Sequence, residues 1–84
     1  MFKLIYAKSI KKDIKNFDQK TKKKLKEEIE KLQNFPKLSQ IKRLKSYPFA
    51  DFRLKVGNYR VLFDVDFENN EIHILKIAHR KELY

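Results

Sequence analysis

Cysteine is absent from this 84-residue chain, so neither a disulfide nor a thiolate metal site is available to it. Two histidines, His73 and His79, are too few for a zinc site without cysteines. No apolar run exceeds a few residues, and the N-terminus lacks the apolar core of a signal peptide. A soluble, cytoplasmic product with no membrane partner is therefore expected. Glycine occurs once and proline twice. The lone glycine, Gly57, falls where a tight turn needs it, while Pro36 stops a helical stretch and Pro48 precedes the strands. There is no internal repeat and no low-complexity segment. Anionic charge is scarce as well, since 11 acids against 21 cations leave a net +10 at pH 7. An excess of this size implies a polyanionic partner, nucleic acid or an acidic protein, rather than a small neutral metabolite. Seventeen of the cations are lysine, and a merely lysine-rich surface explains the helices better than the strands.

What is present supports one small domain over residues 1–84. A hydrophobic share of 42% and eleven aromatics supply a modest core, small enough that a folding partner or dimer is expected. Phe2 to Tyr6 reads as a short strand. Ser9 is a candidate N-cap for a helix carrying Ile10, Ile14 and Phe17 at helical spacing. Asp18 caps a second helix that runs to about Asn34, with Leu25, Ile29 and Leu32 as its apolar stripe. The staggered residues Lys23/Glu27, Lys24/Glu28, Lys26/Glu30 and Glu27/Lys31 suit a solvated helix face. The basic block Lys20 to Lys26 reads first as that wet face and second as a phosphate contact. A short segment near Ile41 to Lys45 follows, and then the strands. The order strand, helix, helix, strand, strand, strand indicates an α+β fold, with two N-terminal helices packed on one face of a small antiparallel sheet.

The last third, FRLKVGNYRVLFDVDFENNEIHILKIAHRKELY, carries the chemistry. With Gly57-Asn58 as a two-residue hairpin loop, Val56 pairs with Tyr59, Lys55 with Arg60, Leu54 with Val61 and Phe52 with Phe63. The apolar members share one face, and Arg53, Lys55 and Arg60 take the other. Like charges directly opposed destabilise a ladder by roughly 0.2–1 kcal/mol, so Lys55 against Arg60 points to an anion held there. The trio also fits a solubilised open sheet face, with Asp51 and Asp64 as pairing partners. The final hairpin turns near Asn69-Asn70, residues that accept positive φ. Alternation fails after Ile74, so either both faces are covered or a bulge resets the register. His73 is expected to face Asp64 or Asp66, and Tyr6 and Tyr59 read as core.

RLKVGNYRVLF followed by ILKIAHRKELY, in this order and at this length, resembles the RelE/ParE superfamily of type II toxin–antitoxin toxins. The resemblance implies a toxin neutralised by a cognate antitoxin, acidic or amphipathic, with operator DNA contacted through the toxin–antitoxin complex. RelE-like members are ribosome-dependent endoribonucleases that cut mRNA in the decoding site with a basic cluster and no metal or other cofactor. Their site maps here onto Lys55, Arg60, Arg80 and Tyr84 as catalytic residues, with Lys45, Arg53 and His79 as RNA contacts. ParE-like members share the fold but poison DNA gyrase, and a non-toxic member would act only in antitoxin binding and operon control.

The residue types suit RNA cleavage by its own 2′-hydroxyl. That reaction needs a base, charge stabilisation at the phosphate, and an acid for the leaving 5′-oxygen. Lysine is ordinarily a poor base near neutrality, but neighbouring cations favour its neutral form, which makes Lys55 the candidate. Arginine remains charged and grips phosphate in two places, a role suited to Arg60 and Arg80. Tyr84 is placed to stack on a base or to take part in proton transfer.

Overall fold

The computed structural model describes residues 1–35 and 40–83. The helix stop read at Pro36 and the aromatic residue Tyr84 lie outside these residues. Along the chain run β1 (Lys3–Tyr6), α1 (Ile10–Ile14), α2 (Gln19–Glu30), β2 (Ile41–Arg43), β3 (Phe52–Val56), β4 (Tyr59–Asp66), β5 (Glu71–His79) and α3 (Arg80–Leu83). A 3-10 turn over Lys31–Asn34 extends α2 toward the Asn34 end expected from its pattern. The five strands form one sheet in the order β1-β5-β4-β3-β2. All neighbours are antiparallel except β1, which pairs parallel to β5, Leu4 opposite Ile72 and Tyr6 opposite Ile74. The expected α+β fold on a small antiparallel sheet is thus present, with one parallel pairing at β1 and with Ile41–Arg43 as a fifth strand.

Asp18 caps α2 as its position suggests, its Oδ1 accepting from the Thr21 amide at 2.7 Å. Ser9 precedes α1 without a side-chain cap, because its backbone is already helical (φ −68°, ψ −14°). Residues Leu25, Ile29 and Leu32, spaced four and three apart, press onto the sheet and are buried. They meet Leu54, Val56, Val61, Phe63, Ile72, Ile74 and Ile77. Full burial of each such side chain contributes about 1.5–3 kcal/mol, which lets two short helices stay in place. Tyr6 does not join this core. It lies at the margin, 46% exposed, although partial burial and the nearby Glu30 carboxylate push its phenol above the ordinary range. Tyr59 does pack, its ring 4.7 Å from Phe17.

The lost alternation in β5 is a bulge. Leu62 faces Lys76 and Phe63 faces Ile74, so Leu75 has no opposite number. Ile72, Ile74 and Ile77 thereby all reach the helix side. Beyond Ile74 the β5 edge has outrun β1, and Asp13 of α1 fills the gap. Its Oδ2 accepts from the Ile77 amide at 3.1 Å, and its Oδ1 lies 3.7 Å from Lys76 Nζ. One carboxylate thus satisfies an otherwise orphaned edge amide and ties α1 to the sheet. Among the described residues, no helix is long and apolar enough to cross a membrane.

Candidate nucleic-acid interface

The hairpin between β3 and β4 builds the site. Its register is Val56–Tyr59, Lys55–Arg60, Leu54–Val61 and Phe52–Phe63, as the two-residue loop requires. Gly57 has φ +57° and Asn58 does not share the left-handed region, the pattern of a type II′ turn. The Lys55 amide donates away from β4, to the Gln40 carbonyl at 3.1 Å. Lys55 and Arg60 are therefore a non-hydrogen-bonded pair, the kind in which opposed side chains come closest. Lys42 stands opposite Arg53 on the same face. The result is a run of four cations, Lys42, Arg53, Lys55 and Arg60, across three strands on the face turned away from α1 and α2.

Among the described residues, none of the four is paired with a carboxylate. The ion pairs among those residues are Lys31–Glu28, His73–Glu71 and Lys76–Asp13. Asp64, one expected partner of the trio, instead accepts from the Asp51 amide at 2.7 Å. Arg53 Nε is buried and finds no hydrogen-bond partner among the described residues. Arg60 differs from its neighbours. It is 9% exposed, and its Nη1 donates to the Gly57 and Tyr59 carbonyls at 2.9 Å each. Its guanidinium braces the turn, and the exposed cation of the pair is Lys55.

Arg80 belongs to the same end of the sheet. Its amide donates to the Asn58 carbonyl at 2.8 Å, so the turn braced by Arg60 also fixes the start of α3. The structure thus sets Arg53, Lys55 and Arg60 on one face of the hairpin and holds the Arg80 backbone at its turn. It does not bring Lys45 there, since Lys45 follows β2 at the far end of β3, where Leu44 bonds to Asp51. Five residues of β3 separate the two ends, roughly 17 Å at the usual rise per residue. Nor does His79 share the cationic face. The bulge sets it opposite Tyr59, with ring centroids 5.5 Å apart on the helix side, and its Nδ1 accepts from the Lys81 amide. Tyr84 lies outside the described residues. Lys42 joins the face only through the pairing of the three-residue β2 with β3, too short a strand to show alternation in the sequence.

The opposite end of this face is acidic. Asp64 faces His73 and Asp66 faces Glu71, and His73 Nε2 lies 3.1 Å from Glu71 Oε1. Ligand atoms of Asp66, Glu71 and His73 lie within 4.8 Å of one another, although Asp66 is already engaged by Asn69. Those Asn69 hydrogen bonds hold the Asp66 carboxyl below its ordinary range. The face is therefore cationic at the Gly57-Asn58 turn and anionic at the Asn69-Asn70 turn, with the buried Leu62 and Ala78 between.

Residues 4–84 match the family described as the ParE toxin of type II toxin–antitoxin systems. Toxin RelE3 of Methanocaldococcus jannaschii is 34% identical over 86 residues, spanning 98% of this chain and 94% of that protein. The RelB–RelE antitoxin–toxin complex from Methanococcus jannaschii contains a chain of similar fold, with a TM-score of 0.73 and 33% identity over 95% of this chain and 94% of that one. The toxin–antitoxin complex RelBE2 of Mycobacterium tuberculosis gives a TM-score of 0.80 at 22% identity, covering 94% and 98% of the two chains, a likeness of fold.

Proposed function

The chain belongs to the RelE/ParE toxin superfamily of type II toxin–antitoxin systems, and we propose that within it this protein is a ribosome-dependent endoribonuclease that cuts mRNA in the decoding site. The observation that carries this reading is the Lys55–Arg60 pair. Two cations are opposed at closest approach, beside Arg53 and Arg80, with no carboxylate paired to them among the described residues. Arg60 is satisfied by the turn carbonyls, which leaves the exposed Lys55 and, beside it, Arg53 Nε, unpartnered among the described residues, to meet a phosphodiester.

In the proposed reaction the 2′-hydroxyl of the RNA attacks the adjacent phosphorus, and the bond to the 5′-oxygen of the next nucleotide breaks. The products are a 2′,3′-cyclic phosphate and a free 5′-hydroxyl. Lys55 accepts the proton of the attacking hydroxyl. Arg80 and Arg53 stabilise the charge that grows on the phosphate oxygens. Arg60 is better suited to holding the turn that carries Lys55 and Arg80 than to gripping phosphate, because its Nη1 already serves two carbonyls. Tyr84 is the candidate proton donor to the leaving oxygen. The ribosome supplies the substrate geometry, so the isolated chain is expected to cut free RNA poorly.

The proposed neutralising partner is an acidic or amphipathic antitoxin. A groove of about 650 Å³ between α1 and α2, with Ile10, Ile14 and Ile29 along it and Lys11, Lys22 and Lys26 around it, has the chemistry to take an acidic amphipathic helix. Operator binding by that complex is part of the same proposal.

The deciding experiment is cell-free translation of a defined mRNA, with cleavage mapped by primer extension, for wild type and for Lys55→Ala with Arg80→Ala. Cuts that need ribosomes and vanish in the variant are the expected result, and intact mRNA with wild type would sink the reading. A second reading, inhibition of DNA gyrase, is favoured by the match to the ParE family. It predicts intact mRNA together with loss of gyrase supercoiling.

A further inference from the structure

The lysines of α2 are arranged against the interests of the helix that bears them. Lys20, Lys23 and Lys24 are spaced three and four apart, so they share one helix face, and like charges at that spacing repel by about 0.2–0.5 kcal/mol per pair. They also stand in the N-terminal half of α2, the positive end of its dipole, with no acidic residue in the first turn. The compensating pairs suggested by the sequence, Lys23/Glu27 and Lys24/Glu28, do not form. Among the described residues, the ion pair made by Glu28 goes to Lys31 at 2.7 Å.

These three lysines converge on a cleft of about 620 Å³ between α2 and the β3–β4 hairpin. Its other wall is the turn itself, from Val56 through Gly57 and Asn58 to Tyr59, with Leu25 beneath, and Glu27 is the one carboxylate that lines it. The turn separates the cleft from the cationic sheet face by the thickness of a single strand. Lys55 and Arg60 flank it on one side, Lys20, Lys23 and Lys24 on the other, and Arg80 hangs from its Asn58 carbonyl.

We propose that this cleft is a second nucleic-acid subsite, in which Lys20, Lys23 and Lys24 hold the sugar-phosphate backbone of an RNA strand that crosses the Gly57-Asn58 turn from the cationic sheet face. The proposal rests on the RNA-acting reading above and extends it to a surface the catalytic cluster does not include. The occupant is RNA rather than an acidic helix because this cleft abuts the turn that carries the cationic sheet face, whereas the other groove lies between α1 and α2. Of the cleft's apolar lining, Leu25 and Val56 are buried and the half-buried Tyr59 ring is the surface left for a base to meet. The broad isoleucine floor that a helix would need lies in the other groove. A backbone held here would anchor the strand beside the cluster without touching the reacting phosphate.

The test is direct binding of a single-stranded oligonucleotide with 2′-O-methyl sugars, which cannot be cut, followed by fluorescence anisotropy from low to moderate salt. Each phosphate contact contributes about 0.7 to the slope of log K against log salt for a single strand. Lys20→Gln, Lys23→Gln and Lys24→Gln together should lower that slope by about 2. The triple Lys20→Arg, Lys23→Arg and Lys24→Arg should retain it. A control removes the same charge from exposed lysines away from the cleft, Lys3→Gln, Lys12→Gln and Lys15→Gln, and should change the slope by less than half as much. Equal effects of the two glutamine triples would overturn the proposal, as would absence of binding by wild type at the lowest salt. An unchanged slope, with loss of binding to an acidic amphipathic helix instead, would assign the cleft to a protein. The assay uses neither ribosomes nor cleavage, so its failure and that of the nuclease reading are separate results.

Discussion

Arg60 and Lys55 stand directly opposite each other, yet their surroundings give them different work. The Arg60 guanidinium is buried and donates to two turn carbonyls, while the Lys55 side chain is exposed and meets no carboxylate among the described residues. Hydrogen bonds from a charged group contribute about 1.5–3 kcal/mol each way they are measured, so Arg60→Ala should lower stability by about that amount in a urea titration. Lys55→Ala removes a like-charge neighbour and should leave the midpoint unchanged or slightly raised. If both variants unfold at the same urea concentration, Arg60 is not the brace of the turn. Gly57 gives a companion test. A methyl group there would meet nothing within 4 Å, so the cost of Gly57→Ala is purely that of φ +57°. That cost is about 1–2 kcal/mol, and Gly57→Asn should lose less because asparagine tolerates the left-handed region. Thermal melts of the two variants read the difference.

Elements here are held by carboxylates at their ends. Asp18 caps α2, and the Thr21 amide, ahead of the Thr21 side chain, holds its carboxyl below the ordinary range. Asp66 is lowered likewise by Asn69 in the last hairpin. A carboxyl depressed in the folded state stabilises the fold above its unfolded value of 3.8 and loses that contribution as pH falls through the folded value. Stability should therefore be flat in this respect above the carboxylate range and decline on its acid side. Asp18→Asn with Asp66→Asn should flatten that limb, and an undiminished acid decline would mean that other carboxylates set it. The same scale shows what the sequence could and could not disclose. The β3–β4 register was legible to the residue, because one glycine and one loop length leave no freedom to slip. The partner of β1 was not, since a parallel pairing between residues nearly seventy apart leaves no local mark. The bulge announced itself as broken alternation, but its position at Leu75 depends on β4 across the ladder. The place of His79 opposite Tyr59 depends on that shift, and the place of Lys45 beyond β2 depends on the pairing of β2 with β3, neither of which the local sequence locates.

At the scale of the whole molecule, charge is the dominant constraint. A net +10 sits on a body whose principal extents are 34 × 27 × 26 Å, and its cations gather on both sides of one hairpin turn. The sequence disclosed the excess but not its convergence, because α2 and the hairpin are some thirty residues apart and only the packing of Leu25 and Ile29 brings them together. Repulsion among these cations has a range set by the solvent. The screening length is about 30 Å at 0.01 M salt, so every cation then feels most of the others, and about 10 Å at 0.1 M, so only neighbours do. Screening should therefore stabilise the fold. Tm is expected to rise as sodium chloride increases between those limits and then to level off. The rise should be smaller in the Lys20→Gln, Lys23→Gln, Lys24→Gln variant, whose low-salt Tm should already exceed that of wild type. A Tm that falls with salt would instead mean that ion pairs such as Lys31–Glu28 and Lys76–Asp13 outweigh the repulsion. In that case the clustered lysines would carry no stability cost for an anionic partner to relieve.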